Sequence, residues 1–121
     1  MSPQPIQAEG GRGPAKSKFT FDGVWLVIEH GVTSRFPGQR RVNVHQISEV
    51  QYKAPRRLLT NGWLSVTIIG DSGNALVRGN MDAVKSANAM PFTPKQQPAV
   101  EQLRDALLNA IASRYQTPPQ P

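Results

Sequence analysis

The 121-residue sequence contains no cysteine. This absence excludes disulfide bonds, thiolate metal ligands and thiol nucleophiles, and it argues against a secreted fold held by disulfides. Long apolar runs are also missing, because the longest, Val24 to Ile28, is far shorter than the roughly 20 residues that span a bilayer. The first fifteen residues contain no apolar run, so no signal peptide is expected there. These absences predict a soluble cytoplasmic protein.

Side chains suited to catalysis or metal binding are scarce. His30 and His45 are the only histidines, and neither has an acid at metal-ligand spacing. The sequence has no Gly-x-Ser-x-Gly nucleophile elbow, and its eight acids form no recognisable catalytic pair. We therefore expect a non-enzymatic protein without a metal or cofactor.

Basic residues are in excess, and the formal net charge is +6. The excess concentrates between residues 35 and 57, where Glu49 is the single acid. The cations of this stretch are Arg35, Arg40, Arg41, Lys53, Arg56 and Arg57. A clustered positive field attracts anionic partners, whether nucleic acid, acidic lipid or an acidic protein surface. The sequence leaves open whether the loops that carry these residues share one end of the fold.

Leu58 and Leu59 directly follow the last two of these arginines. An apolar tip flanked by charge can face a membrane or a partner groove, although such leucines more often pack beneath their own loop. Together with the six cations, they complete the predicted binding site.

Both ends of the chain are predicted to be disordered, and residues 18–115 to form one domain. Residues 1–17 are rich in Pro, Gly and Gln and have no periodic apolar pattern, and residues 116–121 form a polar, Pro-rich tail. Within the first of these segments, Gly10-Gly11-Arg12-Gly13 has neither a predicted strand before it nor a helix after it. We therefore interpret it as a flexible linker and not as a phosphate-binding loop.

The central part of the chain is typical of antiparallel strands. Asp22-Gly23 predicts a tight hairpin between strands at residues 18–21 and 24–30. Residues 40–44 and 47–53 are predicted as a second strand pair. The remaining predicted strands cover residues 63–69, 74–79 and 89–92, which makes about seven in all, with residues 81–88 as a weaker connection. In the strand at 63–69, apolar and polar residues alternate as in a half-buried strand.

The last element has the period of an amphipathic helix. Its apolar stripe consists of Val100, Leu103, Leu107, Ile111 and Tyr115. Thr93, Pro94 and Gln96 predict its start, as N-cap, first helical residue and partner in a capping box. Pro98 lacks an amide hydrogen, so regular helix is expected to begin near it.

Seven short strands followed by one helix are the order of elements in the pleckstrin-homology superfold. We therefore predict a mainly β, α+β fold: a bent antiparallel sheet or partly open barrel capped by one C-terminal helix. The alternative is another small barrel with an appended helix.

A family resemblance rests on four segments: Phe21-Asp22-Gly23, residues 47–53, Asn61-Gly62-Trp63, and Phe92-Thr93-Pro94-Lys95-Gln96-Gln97-Pro98-Ala99. In order and spacing they resemble an uncharacterised bacterial pleckstrin-homology-like family of actinobacteria and their phages, which often precedes a short helical domain. The resemblance covers residues 18–113, and the last segment is its most specific part. Residues 85–90 depart from the acidic stretch usual in that family, and no helical domain follows here. The resemblance implies a stand-alone binding fold without catalytic residues to carry over.

These observations together predict a cytoplasmic binding module that recognises an acidic protein or peptide partner through basic loops and strand edges. The alternative is direct binding of nucleic acid or of an acidic membrane surface.

Overall fold

A computed structural model of the protein describes residues 4–34, 36–56, 61–71 and 87–115. In chain order, the regular elements of these residues are β1 (Ile6–Gly10), β2 (Ser17–Phe21), β3 (Trp25–His30), β4 (Gly38–Asn43), β5 (Ile47–Lys53), β6 (Gly62–Ile68), β7 (Ala89–Phe92) and α1 (Gln97–Tyr115). The strands form two antiparallel sheets, ordered β1-β2-β3-β4 and β5-β6-β7, which do not close into a barrel within the described ranges. The predicted class, a mainly β fold with a bent sheet and one C-terminal helix, is confirmed.

The hairpin between β2 and β3 forms where Asp22-Gly23 predicted it. Gly23 has a φ of 103°, which is strained for residues with a side chain. The Asp22 carboxylate accepts hydrogen bonds from the backbone N–H groups of Trp25 at 2.7 Å and Val24 at 2.9 Å. Because these donors favour the charged carboxylate, they lower the pKa of Asp22.

The prediction that residues 1–17 are a disordered arm is wrong for β1. This strand pairs along its whole length with β2, in a register that runs from Ile6 opposite Phe21 to Gly10 opposite Ser17. Of its inward residues, Ile6 packs against the core, Ala8 is buried in it, and Gly10 lies so close to Met90 and Pro91 that a side chain would collide with them. The two residues after Ile6 on this face are small, and at Gly10 the backbone itself makes the close contact.

The strands β4 and β5 exist as predicted, but they do not pair with each other. β4 pairs with β3 in the first sheet, and β5 pairs with β6 in the second. A single 3₁₀ turn, Val44–Gln46, joins them, and the Asn43 side chain caps this turn by accepting a hydrogen bond from the His45 N–H at 2.8 Å. This turn carries the chain from the first sheet into the second, so β4 and β5 do not form a hairpin.

α1 packs its predicted apolar stripe against both sheets. Val100, Leu103 and Leu107 are fully buried, Ile111 is 9% exposed, and all four belong to one core with Phe19, Leu26 and Leu64. A 3₁₀ turn at Pro94–Gln96 precedes α1, so the α-helix begins one residue before Pro98. The predicted helix start is therefore confirmed. No helix among the described residues combines the length and the apolar character that a membrane span requires.

The strand β6 is more buried than its alternating sequence predicts. Leu64 and Val66 face the main core, but Ser65 and Trp63 on the opposite face are also buried, and Trp63 packs with Ala89 in a separate small cluster. Both faces of this strand are therefore covered, as in the centre of a layered fold. The predicted strand 74–79, most of the connection 81–88 and the tail 116–121 lie outside the described residues.

Candidate functional site

The predicted basic site is only partly within the described residues, because Arg35, Arg57, Leu58 and Leu59 lie outside them. Arg40 lies on β4, and its guanidinium group is 2.8 Å from the Asp71 carboxylate. The same carboxylate oxygen accepts a hydrogen bond from the Asn88 amide at 3.0 Å. Arg40 therefore connects the first sheet to the residues that follow β6 and precede β7, and much of its charge is balanced within the fold.

Arg41 points to the other face of β4 and contacts an aromatic ring. Its guanidinium carbon lies 4.4 Å from the centre of the Trp25 ring, which is a cation–π distance. Asp22 is close enough for the Arg41 charge to contribute to its lowered pKa. Arg41 is thus exposed but already has two favourable neighbours.

Lys53 and Arg56 lie at a different place. Lys53 ends β5 opposite Trp63, and Gly62 at the start of β6 lies opposite Phe92 at the end of β7. The loop with Arg56 and the turn after Phe92 therefore leave the second sheet from the same end. The predicted cluster is divided: two arginines are on β4 and two cations are at this end of the other sheet.

The same end contains a cleft of about 620 Å³ that the sequence did not predict. One wall is the loop between β1 and β2, and the other is the turn between β7 and α1. We call it the cationic cleft; it is lined by Gly11, Arg12, Gly13, Lys16, Thr93, Pro94, Lys95 and Gln96. Its volume is within the range of clefts that hold small ligands or single side chains of a partner.

Gln96 fastens the two walls of the cationic cleft together. Its side-chain oxygen accepts hydrogen bonds from the N–H groups of Gly11 at 3.1 Å and Thr93 at 2.9 Å. Its side-chain nitrogen donates to the Gly11 carbonyl at 3.0 Å. Gly11 and Gly13 both have positive φ angles, 85° and 62°, so the loop can follow this path with little strain. The loop is therefore held in place before any ligand arrives.

Three cations and no acid are among the described residues that line the cationic cleft. Lys16 forms an ion pair with Glu9 at 2.8 Å, and this contact lowers the pKa of the Glu9 carboxyl. Within the described chain, neither Arg12 nor Lys95 forms an ion pair. The site thus presents two positive charges that lack a charged partner among these residues.

The turn that forms one wall of the cleft lies within a segment of the chain that matches a known protein family. The sequence profile of a family described as a domain of unknown function (DUF4429) matches residues 19–108. The chain belongs to this family. The DUF4429 match covers β2 through much of α1 and includes Lys95 and Gln96, whereas Arg12 and Lys16 precede it. Neither a curated protein nor a solved structure matches this DUF4429 chain.

The cleft residues that sequence reasoning missed are Arg12 and Lys16, which precede the DUF4429 match, and Lys95 within it. Arg12 was assigned to a flexible linker because the strand before it, β1, was not recognised. Two signals could have located the cleft. The first signal is the alternation of polar residues with Ile6, Ala8 and Gly10, which is typical of a strand even though two of these three side chains are small or absent. The second signal is that Lys95 and Gln96 lie in the most specific segment of the family resemblance.

A hydrogen-bonded pair on the first sheet of the DUF4429 domain also involves groups with chemical potential. The Ser17 hydroxyl lies 2.7 Å from His30 Nδ1, and His30 Nε2 lies 2.7 Å from the Ala87 carbonyl oxygen. Since the carbonyl oxygen can only accept, Nε2 donates to it, and in the neutral ring Nδ1 accepts from the hydroxyl. Ser17 is 5% exposed, so a substrate has little access to it. The hydrogen bond from His30 to Ala87 joins the first sheet to the segment before β7. The described residues contain no cluster of three metal-ligating side chains.

Proposed function

We propose that this DUF4429 domain is a non-enzymatic cytoplasmic module that binds an acidic protein or peptide partner. The observation that carries the proposal is the cationic cleft, where Arg12 and Lys95 face a shared recess without charged partners among the described residues. Lys53 and Arg56 at the same end extend the positive field beyond the cleft. A field of this kind steers acidic partners towards the recess.

The fold supports the same proposal. Four strands, then three strands, then one helix agree with a pleckstrin-homology-like arrangement, and the resemblance described above suggests an actinobacterial or phage source. In such an arrangement, rigid sheets hold the loops, and the loops make the contacts. Because one fold can carry many functions, the cleft supports the proposed function more directly than the fold does.

A binding assay with three anionic probes tests the proposal. The probes are a fluorescent twelve-residue peptide of Glu and Gly, a single-stranded RNA of equal charge, and vesicles that contain acidic lipid. We expect the peptide to bind more tightly than the RNA, because the described residues that line the cleft include no aromatic side chain to stack against bases. Tighter binding of RNA or vesicles would replace the proposal with the alternative of direct nucleic-acid or membrane binding.

A pair of matched variants locates the binding site. Arg12→Gln with Lys95→Gln removes two charges from the cleft, and Arg41→Gln with Lys18→Gln removes two from elsewhere on the surface. We expect the first pair to weaken peptide binding by at least about tenfold, and the second by about twofold or less. Equal losses in both would mean that net charge, and not the cleft, governs binding.

A further inference from the structure

The cationic cleft has features that favour one kind of anion over others. Glu9 balances the charge of Lys16, so the two positive charges of Arg12 and Lys95 remain in one recess. A carboxylate carries one negative charge, whereas a phosphate monoester carries about 1.5 to 2 at neutral pH. The charge of the cleft therefore matches a phosphoryl group more closely than a single carboxylate.

The donors in the cleft also suit a phosphoryl group. A guanidinium fork binds two oxygens of one phosphate, and a lysine ammonium group acts as a second point charge on a third oxygen. Arg12 and Lys95 come from opposite walls of the cleft, which Gln96 holds together through the loop backbone. An anion with three terminal oxygens can contact both walls, while the two oxygens of a carboxylate offer fewer contacts.

The recess itself favours a phosphorylated side chain over a lipid or a nucleic acid. A volume of about 620 Å³ accommodates a phosphoryl group with part of the chain that carries it. The exposed large apolar side chains of the described residues are Val24, Val32, Phe36, Ile69 and Leu108, and none of them lines the cleft. Insertion into a bilayer needs such side chains around the charged site.

We propose that the cationic cleft binds a phosphorylated serine or threonine side chain within an acidic segment of a partner protein. This inference rests on the proposed function and narrows it to one chemical group. Arg12 and Lys95 contact the phosphoryl oxygens, and Lys16, held by Glu9, adds a third positive group at the edge. Lys53 and Arg56 contribute to attraction of the flanking acidic residues.

Three peptides test the inference on the full-length protein. The first is an acidic twelve-residue peptide with one central phosphoserine, the second has serine at that position, and the third has serine with two additional glutamates to equalise the charge. We expect the phosphopeptide to bind about tenfold more tightly than the charge-matched peptide. Inorganic phosphate should compete with it. Arg12→Gln with Lys95→Gln should abolish the preference, and Arg41→Gln with Lys18→Gln should preserve it.

A pH series gives an independent readout. The second pKa of a phosphate monoester is near 6, so affinity for the phosphopeptide should fall between pH 7.5 and pH 5.5. The charged protein groups around the cleft are Arg12, Lys16, Lys95 and Glu9, and the charge-matched peptide controls for any change in them. Its glutamates remain ionised in this interval, so its affinity should change less.

Each outcome decides one of the two proposals. Equal affinity for the phosphorylated and charge-matched peptides would overturn the phosphoryl inference and leave acidic-partner binding intact. No binding of any peptide would overturn both. Tighter binding to vesicles that contain phosphatidic acid than to the phosphopeptide would assign the phosphoryl chemistry to a lipid headgroup and overturn the choice of a protein partner.

Discussion

The cationic cleft and the interface between α1 and β5 both contain charged side chains, but they use them differently. At the interface, the Tyr52 hydroxyl donates to Glu101 at 2.7 Å, the Gln97 amide donates to the same carboxylate oxygen at 3.0 Å, and Arg104 lies 4.5 Å from the centre of the Tyr52 ring. In the cleft, Arg12 and Lys95 have no ion pair among the described residues. Charges with internal partners hold elements together, and cations without them remain available to a ligand.

The interface also changes the acidity of its own groups. Burial, followed by the hydrogen bond to Glu101, raises the pKa of Tyr52 to about 12. The hydrogen bonds from Gln97 and Tyr52 lower the pKa of Glu101. Both shifts favour the protonated tyrosine and the charged glutamate, which is the pairing seen between β5 and α1.

The largest predicted effect concerns the apolar side of this interface. Leu107→Ala should lower the free energy of unfolding by about 2–5 kcal/mol, because the side chain is fully buried and its removal leaves a cavity. The neighbouring substitution Leu108→Ala is the matched control, since Leu108 is 44% exposed, and it should change the free energy far less. Urea unfolding measures both. Similar losses for the two variants would show that α1 does not pack as described.

A smaller loss of stability is expected at Gln96, which belongs to the cleft and directly precedes α1. Gln96→Ala removes the two hydrogen bonds to Gly11 that join the cleft walls, together with the capping bond from the Thr93 N–H, and it should cost about 1–3 kcal/mol of stability. It should also weaken binding of the acidic peptide, because the loop with Arg12 loses its fixed position. Gln102→Ala on the exposed side of α1 is the control for both measurements. If Gln96→Ala leaves the peptide affinity unchanged, then the fixed position of the loop with Arg12 does not contribute to binding.

The smallest effect is the titration of Tyr52. In a Tyr115→Phe background Tyr52 is the single tyrosine, so ultraviolet absorbance reports its ionisation alone. The midpoint should lie near pH 12, above the ordinary value of 10, and should move down in Glu101→Gln. Because the pKa is raised in the folded state, the stability from this protonated hydroxyl is fully present below pH 10. It is lost as the pH rises through about 12. A midpoint at 10 would mean that Tyr52 is neither buried nor hydrogen-bonded to Glu101 as described.

Local sequence signals predicted the elements that depend on local chemistry. The β2–β3 hairpin follows from Asp22-Gly23, and α1 follows from its apolar stripe and from Thr93, Pro94 and Gln96. β1 was missed because Ala8 and Gly10 carry little apolar surface, and its stability comes from pairing with β2. The separation of β4 from β5 depends on which strands they meet far along the chain, so no local pattern could reveal it.

The candidate site was harder to predict than the fold for the same reason. The sequence concentrates its cations between residues 35 and 57, and this concentration drew attention to Arg40 and Arg41. Those two arginines have partners in Asp71 and Trp25, which the folded chain supplies. Arg12 and Lys95 are 83 positions apart in the sequence and become neighbours only through the pairing of β1 and the turn after β7.

The pairing of β1 with β2 has a consequence for N-terminal truncation of this protein. A fragment cut at residue 19, where the family match begins, would lose β1 and the first part of β2, and it would leave the remaining backbone of β2 without a neighbour on that side. An open strand of this kind is a template for strand exchange between molecules. β1 therefore covers the backbone edge of β2, and its removal should increase self-association of the protein.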